Sequence, residues 1–377
     1  MAKKIKGVFW FSLGVILLSF SAVSAQDTVR IGVYLPMTGG VASFGQMEWA
    51  GIQTAQAMKP RVLGKKVELF LVDTKSDKIE AANATSRLIE NNKVSAIIGE
   101  AISGNTLAGG PIAEKAGVPM ISPTATNPLV NQGKQYVFRV CFLDTFQGEA
   151  AAKFAFQNFK ARRAAVLTDK SQDYCVGLAE FFKKAFTRLG GKIVAETFCQ
   201  SGDQDFSAQL STIMAAKPDV LFIPNYYTED ALIARQAKEL GLNLPIFGSD
   251  GAQTPELIQI GGPAVEGIHF IGHFHLKGAS TPLAKEFIGQ FRKKFPKEKD
   301  ITAFHALGAD AYFVLLDAME RAKSTDGVKV RRALTETKKF PAVSGVMDIG
   351  ADGNAVKPAV ILTVKNGEFA YLTTLNP

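Results

Sequence analysis

Short apolar runs alternate with longer amphipathic stretches along most of the chain, and this alternation predicts the elements. The first series reads as strand Val29–Leu35, helix Phe44–Ala57, strand Val67–Val72 ended by Asp73, and helix Ile79–Ile89. It continues with strand Val94–Ile98, helix Asn105–Lys115 and strands Val118–Ile121 and Tyr136–Cys141. A second series repeats the pattern: helix Glu149–Phe159, strand Ala164–Leu167, helix Tyr174–Leu189, strand Lys192–Thr197. Helix Phe206–Ala216, strand Val220–Ile223, helix Thr228–Leu240 and strand Pro245–Phe247 complete it. Near-continuous apolar strands separated by helices form parallel sheets covered on both faces. Two such series predict an α/β fold of two doubly wound parallel-sheet lobes. After Gly267 the order changes to a strand at Ile268–Phe274, helices near 281–295, 303–322 and 327–337, then strands near 344–349, 358–365 and 369–375. Asn366-Gly367 reads as the turn of a closing hairpin. These trailing elements lack a sheet of their own and are expected to pack back on the two lobes. That implies several crossings between lobes, hence a multi-crossover hinge.

The first residues stand apart from this pattern. Lys3, Lys4 and Lys6 precede an apolar run, Val8–Phe20, that is short for a bilayer span and suited to a secretory leader. Val23-Ser24-Ala25 offers small residues for cleavage, so residues 1–25 are expected to be a signal peptide removed near Ala25. The lysines leave with it, and the formal charge of +8 falls to +5. The remaining Lys and Arg are scattered without interleaved aromatics, so nucleic acid is not an expected partner. A chain of 377 residues exceeds what one core usually serves, and two domains are expected. We expect 26–144 with 273–355 to make lobe 1, and 145–272 with 356–377 to make lobe 2. Of the three cysteines, Cys175 and Cys199 lie near the ends of consecutive strands and are the favoured pair for a disulfide. Three free thiols including Cys141 are the alternative, and the spacing matches no zinc site.

Candidate chemistry collects at the strand ends, where open α/β sheets bind small ligands. The first series offers Ser103 at the start of a helix, whose free N–H groups favour an anion, and the hydroxyl cluster Ser122–Thr126. The second offers Asp169–Tyr174, Asn225-Tyr226-Tyr227 and Ser249-Asp250-Gly251. If the two edges face each other, hydroxyls on one wall suit a carboxylate, Asp250 suits a cation, and the aromatics suit an apolar body. A small zwitterion with an apolar tail fits all three.

The chain resembles the type I periplasmic binding proteins of the branched-chain amino acid group, the leucine/isoleucine/valine-binding proteins of ABC importers. The resemblance runs through V-R-I-G-V-Y-L-P-M-T-G, I-S-P-T-A-T-N-P, F-R-V-C-F-L-D-T-F-Q-G, D-Y-C-V-G, Y-Y-T-E-D-A-L-I-A-R-Q and G-S-D-G, in that order. It implies that Ser103 binds a ligand α-carboxylate, that Thr126 touches both carboxylate and ammonium, and that the Thr124 carbonyl accepts from the ammonium. Ala101 and Ala125 beside them count among the ligand-binding residues. It implies that Asp250 neutralises the ammonium, that Tyr174 and Tyr226 close over the ligand, and that Phe304 lines the side-chain pocket. Phe44 stands where related proteins often carry Tyr or Trp. Ile102 replaces a cysteine that some members pair with the position of Ser76. The implied protein is a periplasmic monomer that takes an amino acid, needs no cofactor or metal, and delivers to the membrane permease of an ABC transporter.

Bland readings compete with each assignment: Ser103 as a helix cap, Asp250 as a turn residue, Phe304 as core, one of Tyr226 and Tyr227 as packing. His269, His273 and His275 share strand parity but no cysteine or carboxylate completes a metal set. No G-x-S-x-G elbow, dinucleotide fingerprint or P-loop is present, so an enzyme is not expected. Another small carboxylate or amide, such as an aromatic acid or urea-like solute, is the runner-up ligand. A ligand-sensing module is the runner-up role.

Overall fold

The structure is a computed structural model and describes Met1 and residues 28–376. Apart from Met1, the leader expected at 1–25 lies outside the described residues. In chain order the elements are β1 (Thr28–Leu35), α1 (Ala42–Met58), β2 (Arg61–Val62), β3 (Lys65–Asp73), α2 (Lys78–Glu90), β4 (Ala96–Ile98), α3 (Ser103–Ala116), β5 (Met120–Ser122) and β6 (Val137–Arg139). Then follow α4 (Asp144–Gln157), β7 (Arg163–Asp169), α5 (Asp173–Arg188), β8 (Lys192–Cys199), α6 (Ser207–Ala216), β9 (Val220–Phe222), α7 (Tyr227–Glu239), β10 (Ile246–Phe247) and α8 (Pro255–Gly261). The chain closes with β11 (His269–Gly272), α9 (Pro282–Lys294), α10 (Ala303–Ala322), α11 (Gly327–Thr335), β12 (Phe340–Ala342), β13 (Gly345–Ile349), β14 (Ala355–Val356), β15 (Ala359–Lys365) and β16 (Glu368–Leu375).

Two sheets organise these elements, one per lobe. The first runs β2-β3-β1-β4-β5-β6, and from β3 to β6 every pairing is parallel. The second runs β16-β15-β11-β10-β9-β7-β8, parallel from β11 to β8, with β15 and β16 added antiparallel. Central strands are buried on both faces, as in Val33, Tyr34 and Leu35 of β1 and Ala165, Val166 and Leu167 of β7. That is why they read as apolar runs rather than alternating ones. Helices show the complementary pattern. In α2 the buried positions are Ala81, Ala84, Thr85 and Leu88, one stripe at helical spacing, and Asp77 caps the start by accepting from the N–H groups of Ile79 and Glu80.

Several expectations are corrected. The trailing strands do not all return to the lobes' sheets: β15 and β16 extend the second sheet, but β12, β13 and β14 form a small antiparallel sheet of their own. Its Ala342, Met347 and Ile349 share a core with β1 and α10, so burial against the first lobe takes the place of a ladder. Helix α3 begins at Ser103 and α4 at Asp144, both earlier than periodicity placed them. Helix α8 was not anticipated, although Thr254 caps it and Pro255 opens it. The favoured Cys175–Cys199 disulfide is absent: all three cysteines are free and buried. Burial pushes the Cys175 and Cys199 thiols up, which withholds the thiolate that exchange requires. The closing hairpin is as expected, with Asn366 and Gly367 at φ of 56° and 70°.

Helix α10 is the first lobe's central element, apolar nearly all round and packed along α1. The two helices approach through glycines. A Cβ at Gly51 would lie 2.0 Å from the His305 carbonyl oxygen, and one at Gly308 would lie 2.4 Å from that of Glu48. Gly308→Ala is therefore expected to destabilise the fold by about 1–3 kcal/mol net, against the ~1 kcal/mol that alanine gains in an exposed helix. Urea unfolding of the two proteins measures this, and an unchanged midpoint would show that the helices can part freely.

Candidate functional site

Parallel strands bring their carboxyl ends to one edge, and in each sheet that edge carries the polar residues that follow the strands. The two edges meet. Phe44, Ala101, Ser103 and Thr124 from the first lobe and Tyr174, Tyr226, Asp250 and Gly251 from the second line one cavity, closed at the side by Phe304 of α10. Its volume is about 20 Å³, close to the room one water molecule needs. An amino acid enters only if the walls part.

Asp250 lines this cavity at 5% exposure and is hydrogen-bonded on both oxygens. Oδ1 accepts from the Tyr174 hydroxyl at 2.5 Å and from Gln147 Nε2 at 2.9 Å. Oδ2 lies 3.0 Å from His273 Nε2. The Asp250 N–H in turn donates to Gln147 Oε1 at 2.8 Å, so Gln147 grips the residue by side chain and main chain together. Burial holds His273 near a pKa of about 4, even though the Asp250 carboxylate favours its charged form. The imidazole is therefore neutral and donates through Nε2. Burial and the same carboxylate push the Tyr174 hydroxyl up, keeping it a donor.

The opposite wall is neutral and hydroxylic. Ser103 is the first residue of α3, not its cap: Ile102 occupies that place, and the Ser103 hydroxyl accepts from the Asn127 N–H at 3.2 Å. The Thr124 hydroxyl lies 2.5 Å from Glu48 Oε1 and 3.0 Å from the Ala101 carbonyl. Burial raises the Glu48 carboxyl well above its ordinary value, and burial likewise lifts Glu100 to about 7. Glu100 nonetheless organises the turn before α3, accepting from Thr74 Oγ1 at 2.6 Å, Asn105 Nδ2 at 3.0 Å and the Ile102 N–H at 2.5 Å. Beneath the second turn lies Arg139, with no exposed surface. Its guanidinium donates to the carbonyls of Ala125 at 2.6 Å and Asn127 at 3.0 Å and to Asn131 Oδ1 at 2.8 Å. It draws those carbonyls inward.

The aromatic residues form one connected group. Phe44 stacks on Phe304 at 4.3 Å between centroids and meets Tyr226 and Tyr227 edge-on at 5.4 and 5.1 Å. Tyr174 stacks on Tyr226 at 5.4 Å. Around the rim the lobes are latched by polar contacts: Lys78 Nζ to Asp173 Oδ2 at 2.6 Å, Ser43 Oγ to Glu256 Oε2 at 2.7 Å, and Asn127 Nδ2 to the Asp173 carbonyl at 2.8 Å.

Eight of the ten sequence-selected residues thus line the cavity. Ala125 and Thr126 do not: both are fully buried behind the wall, where the Arg139 clamp holds their turn. Sequence reasoning passed over Gln147, His273, Arg139, Glu48 and Glu100. Gln147 and Arg139 stand inside the F-R-V-C-F-L-D-T-F-Q-G run, but nothing local marks which of its side chains turn inward. His273 reads from the sequence as part of a surface or interlobe strand rather than as a metal ligand, and among the described residues no group of His, Cys, Asp and Glu could hold a metal ion. Nor, among them, is any helix long and apolar enough to cross a membrane.

A model of the periplasmic binding protein family matches residues 28–368. The chain is 32% identical over 343 residues to the Leu/Ile/Val-binding protein BraC3 of Rhizobium johnstonii, covering 89% of this chain and 91% of that one. Among solved structures it is similar to the leucine-binding protein LivK of Thermotoga maritima, with a TM-score of 0.90, 52% identity, and coverage of 93% of this chain and 99% of the other. The branched-chain amino acid binding protein LivJ of Streptococcus pneumoniae, solved with isoleucine, matches with a TM-score of 0.86, 33% identity and coverage of 93% and 100%. A solute-binding protein of Rhodopseudomonas palustris, solved with 3,4-dihydroxybenzoic acid, matches with a TM-score of 0.83, 26% identity and coverage of 93% and 98%.

Two outcomes test the site's electrostatics. Arg139→Met leaves buried carbonyls without donors and is expected to lower stability by about 3–5 kcal/mol in urea unfolding. Glu100 has a folded pKa of about 7 against 4.5 unfolded. The folded state keeps the proton longer, so its contribution is full below pH 4.5 and is lost as pH rises to 7. Relative to Glu100→Gln, the wild type should lose about 3 kcal/mol across that window, and parallel pH profiles would show that Glu100 stays ionised.

Proposed function

Because the chain belongs to the periplasmic binding protein family, we propose that it is the exported solute-binding component of an ABC importer and that its ligand is an aliphatic amino acid, branched-chain first. One observation carries the choice of ligand. A single buried carboxylate, Asp250, faces the Ser103 and Thr124 hydroxyls across a cavity whose remaining walls are aromatic. An α-amino acid has its cation, anion and apolar tail in that relation.

Ser103 and Thr124 hold the ligand carboxylate, and Ala125 and Thr126 support that wall from behind. The first-lobe carboxyls Glu48 and Glu100, raised by burial, keep this wall from repelling it. The ammonium meets Asp250 beneath Tyr174 and Tyr226, and the side chain packs against the stacked rings of Phe44 and Phe304. Ala101 contributes main chain beside Ser103. Residues 26–144 with 273–355 act as one lobe and 145–272 with 356–377 as the other. The ligand docks on the first, the second closes over it, and the Lys78–Asp173 and Ser43–Glu256 contacts latch the rim. Closure gains affinity only to the extent that the ligand binds the closed form better than the open one. The closed monomer then presents both lobes to the membrane permease. The leader is removed near Ala25, and no metal, cofactor or catalysis is involved.

An aromatic acid is the second reading, favoured by the Phe44–Phe304 stack. It has no cation for Asp250. Calorimetry with leucine, isoleucine and the deaminated keto acid of leucine separates the two. Leucine should bind the mature protein, the keto acid much more weakly, and Asp250→Ala should lose about 2–5 kcal/mol of leucine affinity. Equal binding of leucine and its keto acid, with no effect of Asp250→Ala, would remove the ammonium site and favour the aromatic acid. Mass spectrometry of ligand released from freshly purified, unfolded protein identifies the natural solute directly.

A further inference from the structure

The chain passes between the lobes three times: between β6 and α4, between β11 and α9, and between β14 and β15. The three crossings converge on one residue. His273 directly follows β11, and its ring stacks on Phe142 of the first crossing at 3.6 Å between centroids, 24° from parallel. Its carbonyl accepts from Lys357 Nζ of the third crossing at 3.3 Å. Its Nε2 reaches Asp250 Oδ2 in the binding cavity at 3.0 Å. We propose that His273 is a positioning residue that holds the Asp250 carboxylate in its ammonium-binding orientation and ties that orientation to the hinge. The proposal rests on the reading of the cavity as an amino acid site.

The choice of imidazole is the reason to separate this role from packing. His273 is 2% exposed, and its Nδ1 has no hydrogen-bond partner. An unpaired buried ring nitrogen is unfavourable, and phenylalanine would supply the same stack on Phe142 without it. The Nε2–H donor is what phenylalanine cannot supply. A carboxylate oxygen only accepts, so Nε2 carries the hydrogen and Nδ1 stays bare. Gln147 and Tyr174 occupy Oδ1, so Oδ2 depends on His273 for its orientation. That leaves one acceptor position on Oδ2 for a ligand.

Losing this donor frees the Asp250 carboxylate to turn out of the direction an ammonium needs, a loss that falls on leucine and not on its deaminated keto acid, which has no ammonium. The other titratable groups around the pair are Asp144 on α4, Tyr174 on α5, Tyr226 before α7, and Cys141 and Lys357 at the crossings. All are retained in the variants below. The affinities of the mature protein for leucine and for its keto acid are measured by calorimetry at pH 7.5 for the wild type, His273→Phe and His273→Gln. The phenylalanine variant keeps a ring on Phe142 and loses the donor. The glutamine variant keeps a donor at the Nε2 position and loses the ring.

His273→Phe should bind leucine about tenfold more weakly, the loss of roughly one charge-assisted hydrogen bond, while its affinity for the keto acid stays that of the wild type. His273→Gln should follow the wild type for both ligands. A purely structural role would lower both affinities by the same factor. An equal loss for both ligands in His273→Phe, or no loss for either, therefore overturns the proposal, as does a glutamine variant that follows the phenylalanine one. A phenylalanine variant that does not fold is replaced by His273→Met, read the same way. A wild type that binds neither leucine nor isoleucine overturns the site reading and the proposal with it, whereas leucine binding with equal losses overturns the role of His273 alone.

Discussion

A carboxylate shut between two lobes must find donors for both oxygens or surrender its charge. Asp250 finds them in Gln147, Tyr174 and His273, which come from α4, α5 and the end of β11. Each donor is fixed in turn: Tyr174 by its stack on Tyr226, His273 by its stack on Phe142, Gln147 by its second bond to the Asp250 main chain. The second lobe therefore carries a rigid acceptor whose direction is set before any solute arrives. Preorganisation of this kind leaves little reorganisation for binding to overcome.

The first lobe answers the same constraint differently. Glu48 and Glu100 lie under its rim with no access to solvent, and burial favours their protonated forms. A guanidinium cannot follow them, because its proton is held too strongly even though burial lowers it. Arg139 thus remains the cation beneath the turn that carries Ala125 and Thr126. The hydroxyl wall has a positive support and the tyrosine wall a negative one.

Much of this was readable from residue order. The two sheets follow from apolar runs separated by amphipathic helices, and the strand-end location of Ser103, Thr124 and Asp250 follows from the rule that parallel strands finish on one edge. Phe44 and Phe304 entered through the family resemblance, and in the structure they stack on each other at the side of the cavity. Errors fell where the deciding contact is distant in sequence. Residues 340–356 form their own sheet because the surface of α10 and its neighbours leaves room for a small ladder. The cysteines are free and each is buried, which strand spacing does not report.

What the amino-acid sequence determined by itself is the repeated βα order, the lobes it builds and the inventory of groups at their edges, because hydrophobic periodicity and strand polarity are local properties. Only the tertiary structure decided which of those groups hold one another. Gln147 reaches Asp250 across 103 residues and Thr124 reaches Glu48 across 76, and Arg139 turns beneath the cradle rather than into solvent. Such pairings depend on where burial strips water from a polar group and leaves a particular neighbour as its only partner. That is a property of the assembled interior, and no stretch of chain contains it.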